Sequence, residues 1–504
     1  MIQEIARIFR KKPNARTTHI VSRLSFAMSE QSGGEKVEEI NLPIPRSIVK
    51  IGNAYNYLIN SEAAVLSRRE EDIACIVKAH VIEHASSADE SRPSFDKIEE
   101  IAKFELMTQL PQERAFYIAQ LIAHDTAGSG PISMLLEDKQ NIEEIEINAP
   151  TTPISIYHAR YGRCQTNVHF VDEYSFVNTI NRFIISTEKE LNDETPIIDT
   201  QVNEARLHAQ IRPYVTSGAA ATIRVGGKKD LNIATLVKNG TVTEEVLAYL
   251  WLAIEAGLNI VVAGAPASGK TTLLNALLSF VPKYNRILTV EEDVNEIRFY
   301  PNAINVVSLY GSRYNGAVAT KEQVINALRM RPERLVVGEI RAEETKELFA
   351  GANLGIPFMT TMHSNEDGLA LLKKLLVKPM SVDPNALSAL DLSVFTAQIG
   401  LAKRILSDAY EYKWLSRAEA EASAEVIDDS NAVEITKVVG NGAINPEAIK
   451  ESKVIGAYSA RNGISKNSAL RELKARQSYL SRICKDTDST IEIINRINAY
   501  KLVR

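Results

Sequence analysis

The spacing of apolar and polar positions changes character several times along the chain. At the start, Ile2, Ile5, Ile8 and Phe9 fall near one helical face, with Arg7, Arg10, Lys11 and Lys12 clustered beside them. That pattern predicts a short basic amphipathic helix suited to a membrane surface or a partner. Ser29 to Lys36 is polar and contains Gly33-Gly34, so it reads as a linker. From about Ile48 to Ala127 the spacing is mostly helical in a charge-rich background. Ile73 to Ile82, Ile101 to Leu110 and, after Pro111, Glu113 to His124 are the clearest helices. Gly128-Ser129-Gly130-Pro131 then punctuates the chain. Beyond it, strands are predicted at Glu144 to Asn148, Pro153 to Tyr157, Arg206 to Ile211 and Ala219 to Val225, with a helix over Tyr174 to Ile184. Gly226 to Asp230 reads as a linker into a region where strands and helices alternate, as in a doubly wound parallel sheet.

The most informative stretch lies in that last region. Leu258 to Ala263 is short, apolar and β-branched, the composition of a buried strand, and Thr272 to Leu278 reads as a helix. Between them stands Gly264-Ala265-Pro266-Ala267-Ser268-Gly269-Lys270-Thr271, followed by Thr272. This is the G-x-x-x-x-G-K-T phosphate loop in its strand–loop–helix context. Its amides and the helix N-terminus face a phosphate chain. Lys270 reaches the β- and γ-phosphates, and the Thr271 hydroxyl is placed to ligate Mg2+. The sequence therefore predicts binding of a nucleoside triphosphate.

Three further strand ends carry candidate chemistry. Ile287 to Val290 runs into Glu291-Glu292-Asp293-Val294-Asn295-Glu296. Leu335 to Val337 closes on Gly338-Glu339, the usual place of a Walker B acid with Glu for the commoner Asp. Phe358 to Met362 ends in His363, a residue able to bond a γ-phosphate. Groups at the carboxyl ends of parallel strands share the crevice where ligands bind.

Composition narrows the classes. The chain of 504 residues is 45% hydrophobic and 24% charged, ordinary for a globular protein of roughly two to four domains. The net charge of −5 gives no electrostatic footprint for coating nucleic acid. The three cysteines, Cys75, Cys164 and Cys484, form no C-x-x-C pair, so neither a thiolate zinc ribbon nor a disulfide framework is expected and a reducing cytoplasm fits. The longest stretch without Asp, Glu, Lys or Arg, Leu348 to Asn365, is broken by Asn353, Gly355, Pro357 and a polar run from Thr360, and is a poor membrane span. No signal-peptide pattern is visible. Membrane association is therefore expected through a partner or a surface contact. The absence of an LSGGQ-like signature argues against a transporter ATPase, and the absence of N-K-x-D against a GTPase.

Taken in order, these motifs resemble those of the secretion and pilus superfamily of hexameric ATPases, which includes type II and type IV secretion ATPases, pilus motors and the archaellum motor. The family has Walker A, an acidic E-D-x-x-E box, a G-E Walker B and a T-x-H box. Here these resemble Gly264 to Thr271, Glu292 to Glu296, Gly338-Glu339 and Thr361-Met362-His363. Leu328 to Glu333 resembles the L-R-x-R-P-D/E stretch before Walker B, and Ala248 to Glu255 the helix before Walker A in archaeal members. The resemblance implies a RecA-like core preceded by a smaller α/β domain and a helical N-terminal region. The expected divisions are 1–46 (basic start and linker), 47–127 (helical), 128–227 (second N-terminal α/β domain) and 228–504 (ATPase with C-terminal helices). It further implies ATP and Mg2+ as ligands, Glu292, Glu339 and His363 as catalytic residues, Thr271 and Glu339 at the metal, and Arg206, Arg212 and Arg224 reaching the nucleotide. It also implies a homo-hexamer at the cytoplasmic face of the membrane, working with a polytopic platform protein and not with nucleic acid.

The sequence departs from the family pattern in several places. Glu291 stands where the family has an apolar residue, so the register between Glu291 and Glu292 is open. R-G-x-E appears as Arg341-Ala342-Glu343-Glu344, and G-H before the histidine box as Gly355-Ile356. The tetracysteine module of many bacterial members is absent, which fits an archaeal-type or compact member. A DNA-handling or conjugative-transfer ATPase is the alternative, and a scaffold that binds ATP without turnover is a third reading.

Overall fold

The computed structural model describes residues 23–502 apart from 31–32, 61–64, 88–93, 216–217, 227–231, 293–295, 299–304, 312–317, 365–366, 401–402, 417–423 and 429. The expected basic helix at Met1 to Lys12, most of the linker at Gly226 to Asp230, and Asp293 to Asn295 of the acidic box lie outside the described residues. The chain forms two compact units, Met1–Lys229 and Asp230–Arg504.

In the first unit, the described strands form a nine-stranded sheet. Its order is Glu35–Ile40, Arg46–Ile51, Ala54–Ile59, Gly162–Thr166, Ser155–His158, Ile142–Ile147, Ala219–Arg224, Ala205–Ile211, Ile197–Val202. Two readings of the sequence are corrected here. Part of the expected linker, from Glu35, is a strand, and the expected helical stretch from Ile48 begins as a hairpin. The physical reason is visible in the residues. Ser47-Ile48-Val49 and Tyr57-Leu58-Ile59 are rich in β-branched and aromatic side chains, and Gly52, at φ +61°, makes the turn between the strands. The hairpin joins the later strands through parallel pairing of Tyr55, Asn56 and Tyr57 with Cys164, Gln165 and Thr166. Strands from both sides of the expected boundary at residue 128 thus share one sheet. The helices Arg68–Ser87, Phe95–Leu106 and Gln112–Thr126 follow the hairpin. Asp125, fully buried, accepts from Lys78 Nζ at 2.6 Å and from the Ser25 amide at 3.0 Å, so its charge is paired.

The second unit is built on a mixed sheet whose parallel part runs Val306–Gly311, Ile287–Glu292, Arg334–Val337, Phe358–His363, Ile260–Gly264, Leu392–Ile399. The antiparallel strands Lys403–Ser416 and Asn431–Gly440 extend its far side. Ile260–Gly264 is buried along its whole length, as expected of a parallel strand covered on both faces. The helix Glu244–Ala256 delivers the chain to it. Thr243 caps that helix by accepting from the Val246 amide, and Gly257, at φ +83°, ends it in the left-handed conformation. Asn259 then ties three segments together: its amide reaches Asp391, its side-chain nitrogen the Ala389 carbonyl, and its side-chain oxygen the Phe358 amide.

The C-terminal helices Lys466–Asp486 and Thr490–Leu502 belong to the same core. Arg476, nearly fully buried, donates to Glu255 at 2.8 Å, to Glu472 at 3.0 Å and to the Tyr458 hydroxyl at 2.9 Å. Its guanidinium lies 4.5 Å from the Trp251 ring centre, so a buried cation is held by two carboxylates and an aromatic wall. Among the described residues, no helix is long and apolar enough to cross a membrane.

Candidate nucleotide site

The sheet order sets the site. Phe358–His363 is inserted between the phosphate-loop strand and the strand that ends at Val337. Register places Gly264 beside His363 on one flank and beside Thr396 on the other. The loop thus leaves the sheet between two polar strand ends. Gly264 is required by close approach: a Cβ there would lie 2.4 Å from the Thr396 carbonyl oxygen. Ala267 and Gly269, at φ +60° and +93°, complete the curl. Ser268 bonds the Ala265 carbonyl at 2.8 Å and Thr396 Oγ1 at 2.7 Å, bracing the loop against Leu392–Ile399. The helix Lys270–Leu278 follows, with Thr271 and Thr272 in its first turn. Gly269 has no side chain to cap it, and a helix N-terminus of this kind suits an anion.

The strand-end groups meet in a chain of polar contacts. Lys270 Nζ donates to the Ala265 carbonyl at 2.8 Å and lies 3.0 Å from His363 Nδ1. His363 Nε2 lies 2.8 Å from Glu339 Oε1. Arg341 bonds Glu339 Oε2 and approaches Glu292 at 3.9 Å. An ammonium beside Nδ1 favours that nitrogen as the acceptor and Nε2 as the protonated one, with Nε2 at ion-pair distance from Glu339. Burial pushes the His363 pKa below the ordinary histidine value, with Glu339 opposing and Lys270 and Arg341 reinforcing the shift. The histidine strand is also sewn to the acidic loop: Thr361 Oγ1 donates to the Gly338 carbonyl at 2.7 Å, and the Ile340 amide to the Thr361 carbonyl at 2.9 Å. Beyond His363 a cavity of about 230 Å3 is lined by Arg341, Lys374, Met380 and neighbours.

Successive strand residues face opposite ways, so Glu291 and Glu292 part company at the sheet edge. Glu292 turns to Arg341. Glu291 is nearly fully buried, accepts the amides of Glu296 and Ile297 at 2.7 and 2.8 Å, and packs where a Cβ on Gly338 would meet it at 3.2 Å. Burial raises its pKa to about 7 against the pull of those two amides. Asn275, on the phosphate-loop helix, holds the same segment by bonding the Glu296 carbonyl at 2.8 Å and the Arg298 amide at 3.1 Å.

The expected arginines all belong to the first unit. Arg206 forms a two-point pair with Asp199, at 3.1 and 3.0 Å. Arg224 stands opposite Arg206 in one strand pairing and opposite Glu144 in the other. Arg212 lies 3.5 Å from Glu173. Sequence reasoning missed Thr396, Asn275 and Arg404. Arg404 donates from Nε to the Ala267 carbonyl at 2.8 Å. No local pattern marks these residues, because their proximity comes from strand order.

Hard oxygen donors at Thr271 and Glu339 suit Mg2+. Among the described residues no cluster of three His, Cys, Asp or Glu side chains could hold a metal unaided. Mg2+ at phosphoryl-transfer sites leans on one or two protein oxygens together with the phosphates, so the donor set fits.

A family model described as "Type II/IV secretion system protein" matches residues 125–476. The uncharacterised protein MJ1287 of Methanocaldococcus jannaschii is 30% identical over 274 residues, covering 53% of this chain and 96% of the relative. MJ0781 of the same organism is 26% identical over 332 residues, covering 64% of this chain and 45% of the relative. The chain thus spans about half the length of some of the curated relatives it matches. A crystal structure of the pilus retraction motor PilT with bound ADP aligns at 16% identity and a TM-score of 0.39, covering 72% of this chain and 98% of that one.

Proposed function

The chain belongs to the type II/IV secretion system protein family, and we propose that it hydrolyses ATP, with Mg2+, to power assembly or movement of an extracellular filament or a secretion apparatus. The observation that carries the reading is the run of contacts from Lys270 through His363 to Glu339 at the mouth of a phosphate loop. A lysine, a helix N-terminus and a strand-end carboxylate so close together suit a β,γ-phosphate and an attacking water.

The residues divide the work. The backbone N–H groups of the loop, to which Pro266 contributes none, and the Lys270 ammonium hold the phosphates. Mg2+, which Thr271 and Glu339 would hold, would supply positive charge beside the phosphates. Glu339 and Glu292 organise the metal and the attacking water, with Thr271 and Glu339 at the metal. His363 exchanges its contact with Glu339 for one to the γ-phosphate when nucleotide arrives. Its strand is bonded to the acidic loop through Thr361 and Ile340, so the exchange is felt at both strand ends.

Developing charge on the transferred phosphoryl calls for further cations, and Arg206, Arg212 and Arg224 supply them within a homo-hexameric ring. The ring works at the inner face of the membrane against a polytopic platform protein, in the cytoplasm. The test is phosphate release and nucleotide affinity of the full chain beside Lys270→Ala. Hydrolysis that vanishes in the variant while its thermal unfolding is unchanged supports the proposal. Turnover that survives the substitution overturns it.

A further inference from the structure

The reading above accounts for one end of the nucleotide. The groups that meet the γ-phosphate, His363 and Glu339, come from the strands on one flank of Ile260–Gly264. Lys270 leans toward the same flank. On the proposed reading, a triphosphate with its γ-phosphate on that side extends from the loop toward the other flank, where Leu392–Ile399 and Lys403–Ser416 lie.

That second flank carries a cation. Thr396 is level with Gly264, and two residues further along the strand Gln398 pairs with Arg404 on the next strand. Arg404 is therefore placed within the sheet, two positions past the level of Gly264. Two observations fix its side chain there. Nε donates to the Ala267 carbonyl at 2.8 Å. A Cβ built on Gly269 would lie 3.3 Å from Arg404 Cδ, so the stem lies along the loop. Gly269 thus leaves space for an arginine stem as well as supplying a left-handed backbone. Hydrogen bonding to a backbone carbonyl orients the guanidinium plane. Its neighbour Lys403 is exposed and contributes no comparable contact to the loop.

The geometry points to Arg404 as a nucleotide-binding residue in cis, taking the α-phosphate end of the bound nucleotide while Lys270 takes the β,γ end. A guanidinium can bind a phosphate oxygen through paired donors, and the Nε bond to Ala267 keeps this one beside the loop. Arg404 belongs to the same unit as the loop, so it acts whether or not a ring has formed. Arg206, Arg212 and Arg224 lie in the other unit. The assignment also gives the extended antiparallel strand Lys403–Ser416 a role at the site: it presents a side chain that no residue of the loop motif supplies.

This inference rests on the proposed ATP site and is tested separately from it. The full chain and its Arg404→Ala and Arg404→Lys variants are titrated with ATP and with ADP, and steady-state KM is measured. ADP lacks the γ-phosphate, so an α-phosphate contact must weaken both ligands alike. Arg404→Ala is expected to lose about tenfold in affinity for ATP and for ADP, the scale of one charged hydrogen bond, with KM rising in step. Arg404→Lys is expected to recover part of the loss. Unchanged affinity for both nucleotides in a folded Arg404→Ala variant overturns the assignment. So does a loss confined to ATP, which would place the group at the γ-phosphate. Wild-type chain that binds neither nucleotide removes the ATP reading itself, which separates the two failures.

Discussion

Lys270 Nζ and His363 Nδ1 lie 3.0 Å apart although 93 positions separate them in the chain. The contact is made by strand order: the histidine strand is the immediate neighbour of the phosphate-loop strand, and register sets His363 level with Gly264. On the proposed reading, ATP binding exchanges this contact for one to phosphate, so that occupancy of the site would be transmitted directly to His363.

His363→Ala is expected to cut kcat by about tenfold to a hundredfold while leaving ATP binding by Lys270 in place. A combined measurement of kcat and nucleotide affinity checks this. A variant with full turnover would limit His363 to packing.

Glu339→Gln and Glu292→Gln are each expected to lower kcat by roughly a hundredfold or more with ATP still bound. Glu291→Gln is expected to turn over far better than either. Its carboxylate faces the amides of Glu296 and Ile297, whereas Glu292 faces Arg341. The reverse ranking would move the catalytic register by one residue.

Stability should carry a signature of Glu291. Its folded pKa is raised to about 7, so the folded state binds a proton more tightly than the unfolded chain does. The resulting stabilisation is complete below the ordinary glutamate pKa and is lost as pH rises through about 7. Glu291→Gln, which stays neutral, should therefore raise the unfolding temperature at pH 8 and do little at pH 4.5, a difference on the order of 2 kcal/mol. Thermal scans of both proteins across that range check the sign. His363 acts in the opposite sense: its lowered pKa makes its contribution complete above the ordinary histidine value and diminishing below it.

Gly264→Ala should destabilise the second unit by about 1–3 kcal/mol and weaken ATP binding, because the new methyl meets the Thr396 carbonyl at 2.4 Å. Denaturant titration and nucleotide affinity report the two effects.

The fragment Asp230–Arg504, one compact unit, should bind ATP and hydrolyse it poorly. In the full chain, Arg206→Ala, Arg212→Ala or Arg224→Ala should reduce kcat by up to about a thousandfold where the residue meets the phosphoryl group. Full activity of the fragment, or of a strictly monomeric chain, would remove both the arginines and the ring from the mechanism.

Local pattern made the second unit readable. Ile260–Gly264 is apolar throughout because both its faces are covered, and the loop after it has a fixed spacing. Lys270, Glu339 and His363 were each legible as residues ending or following a buried strand. Their mutual contacts were not, since nothing in the sequence states that Phe358–His363 lies between the other two strands. Arg404 and Thr396 were invisible for the same reason. The hairpin Arg46–Ile51/Ala54–Ile59 was misread because the charged, helical background that follows it hid a short alternating segment and its Gly52 turn. The orientation of Glu291 against Glu292 needed the pleat of the strand, which fixes faces only once the register is known.

The Arg476 cage has an optical consequence. The chain has two tryptophans, and Trp251 is fully buried, stacked on Phe280 at 5.2 Å and covered by the Arg476 guanidinium. Its helix, Glu244–Ala256, ends just before the strand that carries the phosphate loop. The indole therefore sits in a dry, cationic setting that exists only while the C-terminal helix is seated. Its intrinsic emission is a label-free reporter of that seating, and Trp414→Phe would leave Trp251 as the sole emitter. Following the colour and intensity of that emission through a turnover would show whether the C-terminal helix stays docked while ATP is consumed.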